Sequence, residues 1–260
     1  AWNAKALHQA WGWRPDDVLL HANPIAQGLF GTTNLVLMNG TAMIFLPKFD
    51  AMRVIGLLPR ATVFVGVPTY YVRLLAHPGF TDEVCCDMRL FVSGSAPLLA
   101  ETFHAFRERT GHTLLDRYGM TETLMFTSNP LAGERIPDTS GPPLPGVEVR
   151  ITDVNGDRLP TGEIGMIEVK EPYMFKGYWG MAEKTAADFR PDGFFITGDQ
   201  GRINPNGYVS VVGRAKDVVI SGGFNVYPKE VESFIDAIEG VEESAVIGVP
   251  HPDFGEAITA

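Results

Sequence analysis

Five consecutive residues bring together the side chains that a nucleotide site needs. In Tyr118-Gly119-Met120-Thr121-Glu122, an aromatic ring, a hydroxyl and a carboxylate surround a glycine that permits a tight turn. Tyr118 can lie against a base, Thr121 can donate to phosphate oxygens, and Glu122 can hold the magnesium that accompanies them. An ordinary surface turn explains the same residues equally well, so the decision depends on the rest of the chain.

The first half of the chain, residues 1–135, predicts a layered α/β unit that would position this turn. Continuous apolar runs indicate strands covered on both faces of a parallel sheet: Val18–Leu20, Ala42–Leu46, Thr62–Val67 and Arg89–Ser93. Helices are expected after Pro68 and Pro97. In such sheets ligands bind beyond the carboxyl ends of the strands, which selects the loop Ser93–Pro97 and the turn Tyr118–Glu122. A plain strand-to-helix connection remains the alternative for the first loop.

The composition changes near residue 136. Residues 136–215 are rich in Pro and Gly and contain alternating apolar segments, which predicts a small antiparallel β unit. Residues 216–260 begin a further unit, with a strand at Asp217–Ile220, a loop at Ser221–Gly223, a helix at Pro228–Glu239 and a strand at Ser244–Val249. The predicted fold class is therefore α/β: a layered sheet subdomain, a small antiparallel β subdomain, and the truncated start of an α+β domain.

Charge and cysteine usage exclude several classes of partner. The net charge is −10 and no Lys/Arg run is present, which argues against nucleic acid and anionic membranes. No apolar run has the length of a membrane span. The two cysteines, Cys85 and Cys86, are adjacent and lack the spacing of a metal or redox motif. We interpret both as buried residues of a protein in a reducing compartment, and we expect a cytoplasmic location.

Six motifs occur in one order along the chain. They are Ser93-Gly94-Ser95-Ala96-Pro97, Tyr118-Gly119-Met120-Thr121-Glu122, Gly177-Tyr178-Trp179, Thr197-Gly198-Asp199, Gly213-Arg214-Ala215-Lys216-Asp217 and Gly222-Gly223-Phe224-Asn225-Val226-Tyr227-Pro228-Lys229-Glu230. In this order they resemble the adenylate-forming superfamily of acyl-CoA synthetases, luciferases and peptide-synthetase adenylation domains. The resemblance implies that residues 1–215 belong to a large AMP-binding domain and residues 216–260 to a small C-terminal lid domain.

The resemblance implies a role for each residue of the nucleotide site. Tyr118 would stack on adenine beside Gly119, Thr121 would contact phosphate, and Glu122 would bind Mg²⁺. The base and acyl pocket would include the backbone of Gly94, Ser95 and Ala96. The implied co-substrates are ATP, coenzyme A and a small carboxylic acid, and the oligomeric state stays open.

The same resemblance extends to the later motifs. Asp199, helped by Arg214, would accept hydrogen bonds from the ribose hydroxyls. Lys216 would be the hinge of the lid motion. The coenzyme A channel would be lined by Gly222, Gly223 and Phe224.

Four further segments are similar to the bacterial malonyl-CoA synthetases: Met43–Phe49, Val67–Leu75, Thr127–Pro130 and Phe194–Asp199. This implies a dicarboxylate such as malonate or methylmalonate, with Ser95 and Met125 at the acid. Arg73 is the candidate partner of the distal carboxylate, because guanidinium groups form bidentate pairs with carboxylates. A sibling enzyme that adenylates another carboxylic acid is the alternative.

Three departures from the family pattern limit the prediction. The segment Pro24–Gly28 is shorter than in the family and lacks its histidine, and Asp138 stands where relatives tend to have Gly. The lysine-bearing phosphate loop and the C-terminal catalytic lysine would lie outside the 260 residues. We therefore expect a central fragment that is inactive alone and binds nucleotide weakly at most.

Overall fold

The computed structural model describes residues 2–24, 29–238, 240–241 and 243–260. The chain forms two compact units. The first comprises Ala1–Glu148 and Glu171–Gly177, and the second comprises Val149–Lys170 and Tyr178–Ala260. The subdomain boundaries expected at 135 and 215 stay predictions, because compactness alone does not define domains of this kind.

The first unit is a mixed six-stranded sheet flanked by helices. Its helices are α1 (Trp2–Ala10), α2 (Asn34–Asn39), α3 (Ala51–Leu57), α4 (Pro68–Leu75) and α5 (Ala100–Thr110), and its strands are β1 (Val18–His21), β2 (Ala42–Phe45), β3 (Val63–Gly66), β4 (Leu90–Ser93), β5 (Leu115–Met120) and β6 (Leu124–Ser128). The strand order is β2-β1-β3-β4-β5-β6. The first five strands run parallel and β6 is antiparallel to β5. The predicted parallel sheet is therefore confirmed, with an antiparallel edge strand added.

Apolar side chains cover both faces of this sheet. One core cluster contains Phe64, Tyr71, Phe91 and Phe106, and the Phe91 and Phe106 rings meet edge to face with centroids 5.0 Å apart. The opposite cluster contains Trp11, Leu19 and Val92. Strands β3 and β4 are buried throughout, which explains their continuous apolar runs.

Two sequence expectations fail in this unit. Strand β2 was expected to be covered on both faces, yet Phe45 is exposed because β2 is the edge strand of the sheet. Cys85 is buried as expected, whereas Cys86 is exposed.

Asp138 adopts φ 57°, a left-handed conformation that favours Gly but that Asp tolerates better than most residues.

The second unit contains two four-stranded sheets. Its elements are β7 (Glu148–Thr152), β8 (Gly165–Lys170), α6 (Ala182–Ala187), β9 (Phe195–Ile203), β10 (Val209–Arg214), β11 (Val219–Ser221), β12 (Phe224–Val226), α7 (Pro228–Asp236), β13 (Ile247–His251) and β14 (Gly255–Thr259). The strand orders are β10-β9-β8-β7 and β12-β11-β14-β13. Helix α7 ends three residues before the predicted end, Glu239, which lies outside the described residues.

A buried carboxylate organises the first of these sheets. Glu168 on β8 is fully buried and bonds to Arg150 Nε at 2.8 Å, Arg190 Nε at 2.7 Å and Thr152 Oγ1 at 3.0 Å. The two guanidinium groups compensate a charge that would otherwise be costly to bury. This ionic cluster therefore fixes β7, β8 and the segment that precedes β9.

None of the helices in the described ranges combines the length and the apolarity that a membrane crossing would require.

Candidate active site

Strand pairing brings the two predicted ligand loops of the first unit to one edge of its sheet. Ser93, the last residue of β4, is paired with Asp116 of β5. The chain continues from these positions into Gly94 and Arg117. The loop Gly94–Ala96 therefore lies beyond the end of β4, and Tyr118 lies in the part of β5 that extends past its pairing with β4, at the carboxyl edge where parallel sheets bind ligands.

The Ser93–Pro97 loop holds a serine in an uncommon conformation. Ser95 is exposed and has φ 72°, a left-handed conformation that costs about 1 kcal/mol for a residue other than glycine. The preceding Gly94 is buried, and a Cβ at this position would lie 2.6 Å from Cζ of Arg117. The Arg117 guanidinium thus packs against the Gly94 backbone and supports the strained residue next to it.

The turn predicted at Gly119 is wrong. Gly119 does not form a turn, because it lies inside β5, and the turn falls at Thr121–Thr123 between β5 and β6. The strand register shifts between Tyr118 and Gly119, and a Cβ on Gly119 would lie 2.6 Å from Cα of Met125 and closer to the Leu124 carbonyl oxygen. Glycine is needed here for the close approach of two strands.

The hairpin of β5 and β6 presents the three side chains expected to bind nucleotide. The Tyr118 ring packs at 62° against the buried Phe126 ring, with centroids 4.6 Å apart. Thr121 is exposed and Glu122 is half-buried. The Glu122 backbone carbonyl accepts a hydrogen bond of 3.0 Å from the Phe175 amide. The hairpin therefore fixes the order and spacing of ring, hydroxyl and carboxylate along one turn.

The oxygen-bearing side chains at this turn are of the kind that binds magnesium. Among the residues that the structure describes, no group of three His, Cys, Asp or Glu side chains converges on one point. Glu122 supplies one carboxylate, and the Thr121 hydroxyl lies beside it in the chain. Magnesium is commonly bound by one or two carboxylates together with water and substrate phosphates, so a single carboxylate is compatible with it.

The two residues expected at the acid have different surroundings. Arg73 lies in the last turn of α4, is exposed, and makes no hydrogen bond or ion pair with any described residue. Met125 is buried in a core cluster with its Cε against Gly31, where an added Cβ would lie at 2.7 Å. Arg73 therefore has the exposure expected of a carboxylate partner, while Met125 forms part of a packed wall. Residues 25–28 of the shortened Pro24–Gly28 segment lie outside the described residues.

Asp199 and Arg214 form an ion pair in the second unit. They occupy paired positions on β9 and β10, and Arg214 Nε lies 2.8 Å from Asp199 Oδ1. Asp199 is buried, its amide donates to Thr197 Oγ1 at 3.1 Å, and the side chain of Arg214 is 49% exposed. The preceding Gly198 has φ 75°, which glycine adopts without strain. The pairing of β9 with β10 therefore holds one side of the Asp199 carboxylate against the Arg214 guanidinium.

The other predicted residues of this unit lie at turns and strand ends. Lys216 is exposed in the short 3₁₀ helix Ala215–Asp217 that connects β10 to β11. Gly222 and Gly223 have φ values of 57° and 85° and form the two-residue turn of the β11–β12 hairpin. Phe224 lies in β12, directly after the turn, and 76% of its surface is exposed. An exposed ring beside a glycine turn offers an apolar surface to a ligand.

Three residues near the site were given no individual role from the sequence. Asp116 and Arg117 are half-buried, and the buried atoms Asp116 Oδ1 and Arg117 Nε have no hydrogen-bond partner among the described residues. Burial raises the pKa of the Asp116 carboxyl to about 8, although the adjacent Arg117 guanidinium and amide act in the opposite direction. Asn129 donates to the Thr139 carbonyl at 2.7 Å and to the Asp116 carbonyl at 3.2 Å. The Thr-Ser-Asn-Pro motif thus contains a structural clamp for β5.

Comparison with known proteins assigns the chain to a family. The model of the family described as "AMP-binding enzyme" matches residues 1–179. The chain belongs to the AMP-binding enzyme family. This AMP-binding chain is 38% identical, over 98% of its own length, to the malonate–CoA ligase of Arabidopsis thaliana, of which it covers 45%.

Solved structures of related proteins match the AMP-binding chain closely. ATP-bound MatB from Rhodopseudomonas palustris superposes with a TM-score of 0.97 at 59% identity, over 98% of this chain and 52% of that one. A malonyl-CoA ligase with methylmalonyl-CoA and AMP bound gives a TM-score of 0.75 at 39% identity, over 98% of this chain and 56% of that one. The chain spans about half the length of the relatives it matches.

Proposed function

We propose that the protein is an ATP-dependent carboxylate–CoA ligase that acts on malonate, with methylmalonate as a second acid. The observation that carries the proposal is the 59% identity to ATP-bound MatB over 98% of this chain. The order of the six motifs and the hairpin that presents Tyr118, Thr121 and Glu122 support the same function.

The first half-reaction forms an acyl-adenylate. A carboxylate oxygen of the acid attacks the α-phosphorus of ATP, a bond to phosphorus forms, and the bond to pyrophosphate breaks. Negative charge on the phosphoryl oxygens is compensated by hydrogen bonding from the Thr121 hydroxyl, and Tyr118 holds the base by stacking. Glu122 would hold Mg²⁺, which supplies Lewis-acid stabilisation of the phosphates when bound.

The second unit supplies residues for the sugar and for the next step. The Asp199 carboxylate accepts hydrogen bonds from the ribose hydroxyls, and Arg214 orients it through their ion pair. The thiol of coenzyme A then attacks the acyl carbon and AMP leaves. In this proposal Lys216 is the hinge for the change between the two steps, and Gly222, Gly223 and Phe224 line the coenzyme A channel.

Selection of a dicarboxylate rests on Arg73. Its exposed guanidinium has no partner among the described residues, so it is available for a distal carboxylate. Ser95 and Met125 complete the acid site in this proposal. We also propose a reducing, cytoplasmic location, which is consistent with a buried free cysteine at position 85.

The test uses protein expressed from the complete coding sequence. We expect pyrophosphate exchange into ATP that depends on malonate, followed by malonyl-CoA formation when coenzyme A is added. Methylmalonate should compete, and acetate should compete poorly because it lacks the second carboxylate. Absence of malonate-dependent exchange, with exchange on an aryl or amino acid instead, would favour the sibling adenylating enzyme.

A second proposal concerns the 260-residue chain alone. It spans about half of its relatives, and the two lysines expected to stabilise phosphate charge are not among its residues. We expect weak binding of ATP and magnesium and no turnover. Calorimetric titration of this chain with ATP and Mg²⁺, together with the exchange assay, measures both properties.

A further inference from the structure

The short segment Glu171–Gly177 contacts the β5–β6 hairpin at two points. It follows β8 in the chain but belongs to the first compact unit. The Phe175 amide donates to the Glu122 carbonyl at 3.0 Å, and the Tyr173 hydroxyl lies 3.4 Å from the Met125 carbonyl. The segment therefore contacts both the turn that carries Glu122 and the strand that carries Met125.

A second donor reaches the same Met125 carbonyl from the N-terminal helix. Asn3, in the first turn of α1, is 2% exposed and donates through Nδ2 to this oxygen at 2.6 Å. The Asn3 side chain also contacts the Tyr173 hydroxyl. One backbone oxygen of β6 is thus held from two elements that are distant in the chain.

The contacts form a buried polar cluster behind an apolar wall. Glu171 is 8% exposed, and neither of its carboxyl oxygens has a hydrogen bond within normal geometry to any residue that the structure describes. Burial raises the pKa of Glu171 to about 8, while the nearby Tyr173 hydroxyl lowers it slightly. The Met125 side chain presses against Gly31. The carbonyl and the side chain of Met125 are therefore both constrained.

We propose that Asn3 and Tyr173 are positioning residues for the acid: by holding the Met125 carbonyl they fix the wall of the acyl pocket against which the carboxylic acid lies. This inference rests on the proposed function, because that function assigns Met125 to the acid site. The physical reason is that Met125 is three residues after Glu122 in one hairpin. A shift of its carbonyl would move the acid relative to the phosphate-binding turn, and small misplacements of reactants are costly for catalysis.

The test compares Tyr173→Phe, Asn3→Leu and the double variant in protein from the complete coding sequence. Tyr173→Phe removes one hydroxyl and keeps the ring, so it retains the packing. Tyr208→Phe, outside the cluster, is the matched control. The Michaelis constants for the acid and for ATP are measured by pyrophosphate exchange, and hydrogen exchange is followed in the peptide that spans residues 121–128.

We expect the Michaelis constant for the acid to rise about three- to tenfold in each single variant, with that for ATP changed by less than about twofold. The double variant should deviate from the product of the single effects, because both donors serve one oxygen. Amides of β6 should exchange faster, while Tyr208→Phe should behave as wild type.

This design separates a failure of the proposed substrate from a failure of the proposed positioning role. Failure of wild-type exchange with malonate overturns the proposed substrate, and the variants are then compared with the acid that does support exchange and by hydrogen exchange. Equal changes for acid and ATP, or unchanged kinetics and unchanged protection of β6 in Tyr173→Phe and Asn3→Leu, overturn the positioning role.

Discussion

The guanidinium of Arg214 and the carboxylate of Asp199 meet at 2.8 Å across two paired strands. The pair is rigid on one side, because Asp199 is buried in β9, and accessible on the other, because Arg214 is half-exposed. A carboxylate fixed in this manner is suited to accept hydrogen bonds from a diol, since the guanidinium sets its orientation before the ligand arrives.

Removal of that guanidinium should weaken nucleotide binding. We expect Arg214→Ala to raise the Michaelis constant for ATP about tenfold, since the loss of one charge-assisted hydrogen bond costs about 1.5 kcal/mol or more. Arg202→Ala on β9 removes the same charge and serves as the control. Similar values for the two variants, measured by pyrophosphate exchange, would show that Arg214 acts only through net charge.

Loss of the Glu122 carboxylate should slow the chemical step and weaken magnesium binding. We expect Glu122→Gln to lower kcat by about a hundredfold and to shift the magnesium requirement to higher concentration. Glu163→Gln, in an exposed turn, is the control. A variant with unchanged magnesium dependence would contradict the assignment of Glu122 as the metal ligand.

Arg73 should determine the choice of acid. Arg73→Ala is expected to raise the Michaelis constant for malonate at least about tenfold and that for ATP by less than about twofold, because only the acid carries the partner carboxylate. Arg107→Ala, an exposed arginine on α5, provides the comparison. The role would be refuted by equal effects on both substrates.

Glu171 should make stability depend on pH. Its pKa is raised to about 8 in the folded protein, so the folded state holds a proton that the unfolded state releases above about pH 4.5. The stabilisation that protonated Glu171 contributes is fully present below about pH 4.5. It declines as the pH rises from there to about pH 8. Glu171→Gln, which cannot ionise, should therefore be more stable than wild type at pH 9 by about 5 kcal/mol and similar at pH 5.

The measurement for Glu171 is the melting temperature at a series of pH values. The difference between Glu171→Gln and wild type should grow from pH 5 to pH 9, while Glu163→Gln should show no such trend. Asp116 also has a raised pKa, of about 8, so part of the decline should persist in the variant. A constant difference across the pH range would exclude a buried, protonated Glu171.

Gly119 offers a test of the corrected hairpin. Gly119→Ala places a Cβ against the β6 backbone and should destabilise the protein by about 1 to 3 kcal/mol. Gly56→Ala is the matched control, because Gly56 lies in α3 with open space around it, and there alanine should be neutral or slightly stabilising. Equal melting temperatures for the two variants would contradict the close strand approach.

Local chemistry in the sequence predicted a large part of the fold. Strands β3 and β4 were predictable because buried parallel strands are continuously apolar. Strand β9 was missed because it contains Gly198 and Asp199, residues that usually mark turns. The motif residues supply the proposed nucleotide site because its chemistry is concentrated in short segments, and their roles stay predictions.

Contacts between distant segments could not be predicted in this way. Asn3 and Met125 are separated by 122 residues, and Tyr173 and Met125 by 48. No periodicity or spacing relates such residues, because their meeting depends on the packing of α1 and of the segment Glu171–Gly177 on β6. The same holds for Arg117, whose guanidinium lies under Gly94 only once β4 and β5 have paired.

The reversal of direction at the last strand of the sheet has a consequence for the electrostatics of nucleotide binding. Many phosphate sites of α/β proteins use the partial positive charge at the first turn of a helix. Here Thr121 and Glu122 lie between two antiparallel strands, so no helix dipole begins at this turn. In the proposed function, phosphate charge at the hairpin would be balanced by hydroxyl groups and cations, and ATP affinity should therefore decrease steeply when free magnesium is depleted.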